Sequence, residues 1–348
     1  MSRLAETLGQ RIAREGPISF SDFMAAALYD PDDGYYARGA PIGEPGDFAT
    51  APSLSPAFAG AIAREFRRET AGLEGAVDFV EAGAGEGRFL DDLAAALERE
   101  APELSRRVRW TAVERSGAAR RALAGRGRPE GLRVLGSAEE LSTGSVRGWI
   151  FSNELFDALP VVRLEGGERG PSELKVGFEG AAFVWVRAPA PPEAVELLAE
   201  SGVTLAAGQV AEVSTEAAPL YRRLARALGA GSLVTFDYGH RARVLYHAFA
   251  RPRGTLAVHS GGRRGGDPLD RPGEVDLTAH VNWDALVRAG EEEGLSTRGI
   301  FRQGEYLARS GIIDVASTDA EKWRAYRLVD PEGMGEELSV LIQSRSIG

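Results

Sequence analysis

Between Val77 and Asp237 short runs of β-branched and aromatic residues alternate with stretches of helical period, and this alternation narrows the possible folds more than any other feature. Strands are expected at Val77–Ala82, Arg109–Glu114, Leu132–Leu135, Trp149–Ser152 and Ser232–Asp237. Phe89, Leu93 and Leu97 mark a helix between the first two, ended near Pro102. Strands separated by helices imply crossover connections, and so an α/β chain with a parallel, doubly wound sheet. The rhythm breaks after the fourth strand. Val161–Leu164, Glu173–Phe178 and Ala182–Arg187 read as a small antiparallel meander, followed by helices near Glu193–Glu200 and Ala217–Leu228. An α+β insertion there would lie beside the carboxyl ends of the strands, where a cap over a ligand belongs. The expected organisation is an N-terminal helical and loop segment over 1–72, a sheet domain over 73–160 and 229–348, and an inserted cap over 161–228.

Leu4, Leu8 and Ile12 fall on one helical face that stops at Gly16-Pro17, and Ser19 with Asp22 caps a second short helix carrying Phe23 and Leu28. The turn-rich stretch from Asp30 to Pro52 is expected to be a structured loop, because Tyr35, Tyr36 and Phe48 give it apolar bulk. Ser55-Pro56 starts a helix lined by Phe58, Ile62 and Phe66. His259–Glu274, rich in Gly, Arg and Pro, reads as a mobile loop, and Glu291-Glu292-Glu293 as a solvated helix face.

Composition excludes several chemistries. The chain of 348 residues has no cysteine, so disulfides, thiol nucleophiles and thiolate metal sites are out. Its four histidines lack ligand spacing, and no metal is expected. A net charge of -10 disfavours nucleic acid as a partner. No run has the length of a membrane span, and the expectation is a soluble, cytoplasmic protein without membrane partners. Oligomeric state is not readable.

Directly after the first strand stands Glu81-Ala82-Gly83-Ala84-Gly85-Glu86-Gly87. Glycine makes up 43 of the residues, so the spacing alone carries little; its place at the first strand-to-helix turn of the series carries more. A dinucleotide fingerprint would need a glycine at position 88, where Arg88 stands, and Glu81 and Glu86 would set negative charge beside a pyrophosphate. A cationic ligand fits better. S-adenosylmethionine carries a sulfonium and an ammonium beside one carboxylate, which loop amides and acidic groups can share. Glu114, ending the second strand, can accept the ribose hydroxyls, and Ser137-Ala138 after the third would lie beside the adenine. Asn153, Glu154 and Asp157 follow the fourth strand, next to the expected methyl group. They read as groups that orient the acceptor and remove its proton, with N-capping of the next helix as the alternative. His280 is a further acid/base or acceptor contact, with a capping or core role equally open.

The chain resembles the MidA-like class I methyltransferases, a family that includes the mitochondrial complex I assembly-factor arginine methyltransferase. The resemblance rests on Gly16-Pro17-Ile18-Ser19-Phe20, Tyr29-Asp30-Pro31, Gly34-Tyr35-Tyr36, Gly46-Asp47-Phe48 with Thr50-Ala51-Pro52, the glycine loop, Asn153 through Pro160, Asp237-Tyr238-Gly239, Gly254-Thr255-Leu256 and Thr278-Ala279-His280-Val281. It implies a Rossmann-like domain binding S-adenosylmethionine, released as S-adenosylhomocysteine, under an N-terminal cap and the later insertion. By matched position Asp47, Phe48 and Thr50 would lie near the cofactor with Gly83, Gly85, Gly87 and Glu114, while Asn153, Glu154 and Asp157 would face the acceptor. Ser53, Asn282 and Ser339 depart from the family pattern on the acceptor side. Methylation of a protein, arginine included, is the leading expectation; a small-molecule acceptor and a non-catalytic cofactor-binding assembly protein are the alternatives.

Overall fold

The computed structural model describes residues 2–38, 55–125, 129–261 and 263–346. Helices α1 (Arg3–Glu15) and α2 (Phe20–Tyr29) open the chain, each capped by a serine: Ser2 Oγ accepts from the Ala5 amide and Ser19 Oγ from that of Asp22. Next comes α3 (Pro56–Thr70), with Ser55 as N-cap and proline in the first turn. Strands and helices then alternate through β1 (Val77–Ala82), α4 (Arg88–Glu100), β2 (Val108–Val113), α5 (Gly117–Gly125), β3 (Arg133–Leu135) and β4 (Val146–Asn153). An insertion follows, made of β5 (Val162–Glu165), β6 (Ser172–Glu179), β7 (Ala182–Pro189), α6 (Pro192–Glu200) and β8 (Val210–Val213). The remainder holds α7 (Ala217–Ala227), β9 (Leu228–His240), α8 (Ala242–Leu245), β10 (Ala257–Ser260), β11 (Arg263–Arg264), β12 (Asp276–Thr278), β13 (Val281–Asn282), α9 (Trp283–Glu292), β14 (Ser296–Arg302), α10 (Asp319–Val329) and β15 (Leu338–Arg345).

The chain separates into two compact units. Unit 1 comprises Met1–Ala40, Phe156–Pro219 and Gly239–Leu286; unit 2 comprises Pro41–Leu155, Leu220–Tyr238 and Val287–Gly348. Residues 55–72, expected with the N-terminal segment, thus group with the sheet, and 239–286, expected with the sheet, group with the insertion. The reason for the first is visible in the packing: Phe58, Ile62 and Phe66 of α3 are fully buried in the same cluster as Phe79, Trp149 and Phe236 of the strands.

Unit 2 is the α/β sheet, ordered β14-β15-β9-β4-β1-β2-β3. The five strands β9, β4, β1, β2 and β3 run parallel, and β15 and β14 add an antiparallel edge. Chain order moves from β1 outward through β2 and β3, then returns to place β4 on the other side of β1, so strand order reverses at the β1/β4 pair. Ala82 lies opposite Ser152 there, which puts the turn after β1 beside the turn after β4. β1 is buried along its whole length, as a strand covered on both faces must be.

Phe89, in the first turn of α4, fixes this end of the sheet. Its ring stacks on Phe151 of β4 at 4.7 Å and meets Phe58 edge-on at 5.7 Å. Such pairs add about 0.5–1.5 kcal/mol each beyond the area they bury, and they hold the start of α4 down on the sheet.

Unit 1 holds two antiparallel sheets, β7-β6-β5-β8 and β11-β10-β12. Helices α1 and α2 lay Leu4, Leu8, Phe20, Phe23 and Leu28 into a cluster with Val176, Val258, Leu269 and Leu277. The loop expected to be mobile at His259–Glu274 is built into this core. His259 pairs with Arg264 in a short hairpin, and Leu269 is buried, because an isolated apolar residue among the turn formers has a cluster to enter. Asp30 turns the chain after α2, its Oδ1 accepting from the Asp32 and Asp33 amides, and Tyr35 is buried as expected. No described helix is long and apolar enough to cross a membrane.

Phe89→Ala should lower the unfolding free energy by about 3–5 kcal/mol, read from urea unfolding of the full chain. A loss below about 1 kcal/mol would mean that the ring does not hold α4 to the sheet.

Candidate functional site

The site is built first from the turn after β1. Gly83, Gly85 and Gly87 sit at φ 77°, 52° and 81°, left-handed conformations that side chains rarely adopt. A Cβ added at Gly83 would also press on the Leu155 side chain at 2.9 Å, so the turns after β1 and β4 touch. The Gly83 amide donates to the Val113 carbonyl at 2.8 Å and the Gly85 amide to Glu114 Oε2 at 2.8 Å. Gly87, the N-cap of α4, has no side chain, and among the described residues the first amides of the helix receive no side-chain cap. That is a ready place for a carboxylate.

Two carboxyl groups flank the loop. Glu114 is buried and accepts from the Gly85 amide and, through Oε1, from the Ser116 amide at 2.6 Å. Burial nevertheless raises its pKa, against the pull of those amides and of Arg120. Glu81 is 5 % exposed, and its Oε2 has no hydrogen-bond partner among the described residues. Burial, reinforced by the nearby charge of Glu114, pushes the Glu81 carboxyl well above the usual carboxylate range. A buried acceptor without a donor costs about 1–3 kcal/mol, and an ammonium would relieve it. The residues therefore fit a ligand with one carboxylate and nearby positive charge.

At the end of β4, Glu154 has φ 50°, a backbone conformation uncommon outside glycine. Its amide donates to the Phe236 carbonyl at 2.9 Å, and Asn153 Nδ2 donates to Glu154 Oε1 at 2.9 Å. Asp237, fully buried on β9, accepts from the Leu155 amide at 3.2 Å and the Tyr238 amide at 2.8 Å. Asp237 is thus the residue that holds the strained turn, a positioning role its motif alone did not reveal. Strain of this kind costs about 1–3 kcal/mol and persists where surrounding bonds over-determine the turn. Ser137 uses its hydroxyl to cap a short 3-10 turn at Ala138–Glu140, accepting from the Glu139 amide.

Glu81, Gly83, Gly85, Gly87, Glu114, Ser137, Ala138, Asn153 and Glu154 all belong to unit 2, whereas Asp157 and His280 belong to unit 1. Asp47, Phe48, Thr50 and Ser53 lie outside the described residues. Asp157 is 2 % exposed and its carbonyl accepts from the Ala279 amide at 2.9 Å. Near it Tyr36 donates to Asp276 Oδ1 at 3.0 Å, and burial with those carboxylates pushes the Tyr36 phenol well up. The His280 amide donates to Thr255 Oγ1 at 3.0 Å, and its ring lies 5.4 Å from that of His240. Burial, with His240, Arg264 and Arg251 adding positive field, lowers the His280 pKa to about 4. The imidazole is neutral near pH 7. Asn282 caps α9, its Oδ1 accepting from the Asp284 and Ala285 amides, while Nδ2 donates to Ser201. An aspartate there would keep the cap and lose the donor.

Unit 1 also contains a cavity of about 30 Å³ lined by His280, Asn282, Tyr246 and Glu212, among others. Glu212 escaped the sequence analysis. It is buried in β8, accepts from the Thr255 amide at 2.7 Å and faces Arg163 at 3.4 Å. An acidic residue inside Val210-Ala211-Glu212-Val213 was the available signal.

Residues 61–301, well over half of the chain, match the profile of a family described as "Putative S-adenosyl-L-methionine-dependent methyltransferase". The chain belongs to that family. Its fold agrees over its full length with a crystal structure from Burkholderia thailandensis, a "likely methyl transferase" bound to S-adenosyl-homocysteine: TM-score 0.87, 31 % identity, 99 % of this chain and 92 % of that one covered. Among curated proteins the chain is similar to "Protein arginine methyltransferase NDUFAF7, mitochondrial" of Xenopus tropicalis, 26 % identical over 87 % of this chain and 74 % of the relative. The Danio rerio protein of the same name is also 26 % identical, over 94 % and 84 %. This methyltransferase uses S-adenosylmethionine, and its sheet is of the Rossmann-like class I type.

The raised Glu81 pKa has a thermodynamic consequence. An unfolded glutamate titrates near 4.5, so between that pH and the higher folded value the folded state holds the extra proton. Stability of ligand-free protein should therefore fall as pH rises through this window. Glu81→Gln removes that contribution, so its melting temperature should gain on the wild type as pH rises from 4.5. A difference between the two proteins that stays flat with pH would show that Glu81 is not buried as described.

Proposed function

We propose that this methyltransferase modifies a nitrogen of a protein side chain, and that the acceptor is arginine. The observation that carries the reading is the similarity to curated relatives named protein arginine methyltransferases over most of both chains. The relatives are named as mitochondrial; for this chain the cytoplasm is our proposed location, checked by cell fractionation.

The cofactor supplies a methyl group on a cationic sulfur. What the chain adds is position and proton handling. The amides at the start of α4 and the Glu81 carboxylate would hold the amino-acid end, and Glu114 the ribose. A guanidinium does not lose its proton near neutral pH. Glu154, oriented by Asn153 and by the fixed turn, would hold the acceptor and accept the proton as the nitrogen–carbon bond forms and the sulfur–carbon bond breaks.

Incubation of the purified protein with methyl-labelled cofactor and a cell lysate should place label on protein, and acid hydrolysis should recover it as methylarginine. Label confined to small molecules, or tight cofactor binding without turnover, would contradict the proposal. Glu154→Gln should slow transfer by about 10²–10⁴-fold while leaving cofactor affinity within about twofold. Equal loss of both would remove Glu154 from the acceptor side.

A further inference from the structure

Between Gly239 and Gly266 the chain has six arginines, three histidines and no aspartate or glutamate, within a protein of net charge -10. The stretch lies wholly in unit 1. It also contains the exposed apolar side chains Val244 (47 % exposed) and Phe249 (91 %), the only large ones among the described residues of that unit. Phe249 is not carried on a loose tip. The Arg251 amide donates to the His247 carbonyl at 2.8 Å, the Ala250 amide to His247 Nδ1 at 3.2 Å, and Arg251 Nη1 to the Val244 carbonyl at 2.9 Å. Arg251 Nη2 also lies 2.6 Å from His240 Nε2, which ties the loop to the His240–His280 pair. Around it Arg241 is paired with Asp284, whereas the exposed Arg243 and Arg253 have no carboxylate partner among the described residues.

We propose that the surface from Arg241 to Arg253 docks an acidic segment of the protein that is methylated, with Phe249 as its apolar anchor; this rests on the protein-acceptor reading. The charge pattern selects the occupant. Arginines bracketing an exposed aromatic form the kind of patch in which a few residues carry the binding, and unpaired arginines attract carboxylates. A nucleic acid or an anionic membrane would extend past the patch and meet the acidic remainder of the chain, where repulsion opposes binding. A short acidic segment contacts the patch alone.

The test uses the full chain and a fluorescein-labelled 12-residue peptide of alternating glutamate and aspartate with one central tryptophan, read by anisotropy. Wild type should bind it, more weakly as salt rises from about 50 to 500 mM. R243E/R253E should weaken binding by about 10–100-fold and Phe249→Ala by about 5–30-fold, with the circular dichroism spectrum and S-adenosylhomocysteine affinity unchanged. In the lysate assay R243E/R253E should raise KM for the labelled protein and spare kcat. Equal peptide binding by wild type and variants, or tighter binding of a 12-nucleotide single strand than of the peptide, overturns the proposal. Loss of peptide binding in the variants with no label on any protein would keep the acidic docking surface and strike the acceptor reading.

Discussion

Two carboxyl groups buried around one strand-to-helix turn set the terms for the rest of the molecule. Glu81 and Glu114 lie at the ends of adjacent parallel strands, and burial raises the pKa of both. Glu114 is satisfied by amides of the chain itself, whereas Glu81 Oε2 is left without a donor among the described residues. Such an arrangement is costly in an empty protein and useful in one whose ligand brings positive charge. It also fits the glycine spacing: the loop must turn tightly enough for its own amide to reach Glu114, yet carries Arg88 where a dinucleotide fingerprint needs glycine.

The sheet then decides where the chemistry goes. Because strand order reverses between β1 and β4, the cofactor turn and the Asn153-Glu154 turn are neighbours, and residues three strands apart in sequence order serve one site. Phe89 and Phe151 lock the first helical turn to the fourth strand, and Asp237 locks the turn after that strand. The packing of the core and the precision of the site are in this sense the same contacts, a common economy in α/β enzymes.

Much of this was legible beforehand, for physical reasons. β1 was placed to the residue, since its apolar residues Val77, Phe79, Val80 and Ala82 stop at the glycine loop that begins with Gly83. Ser19 and Ser55 announced helix starts that the structure bears out. The hidden parts depend on long-range partners. The loop at His259–Glu274 looked mobile because its composition is rich in turn formers, and only the α1–α2 cluster gives Leu269 somewhere to go. Glu212 and Asp237 are single acidic residues in strands; what each one holds, the Thr255 amide or the Leu155 amide, is 43 and 82 positions away. Grouping of 239–286 with the insertion likewise follows from packing that no local pattern encodes.

The central claim is that the turn from Gly83 to Gly87 takes an amino-acid-bearing nucleoside rather than a dinucleotide. Calorimetric titration of the purified full chain with S-adenosylhomocysteine, and separately with NADH, tests it most directly. Saturable heat at one site per chain with the first and none with the second is the predicted result. Heat with NADH and none with S-adenosylhomocysteine would contradict it.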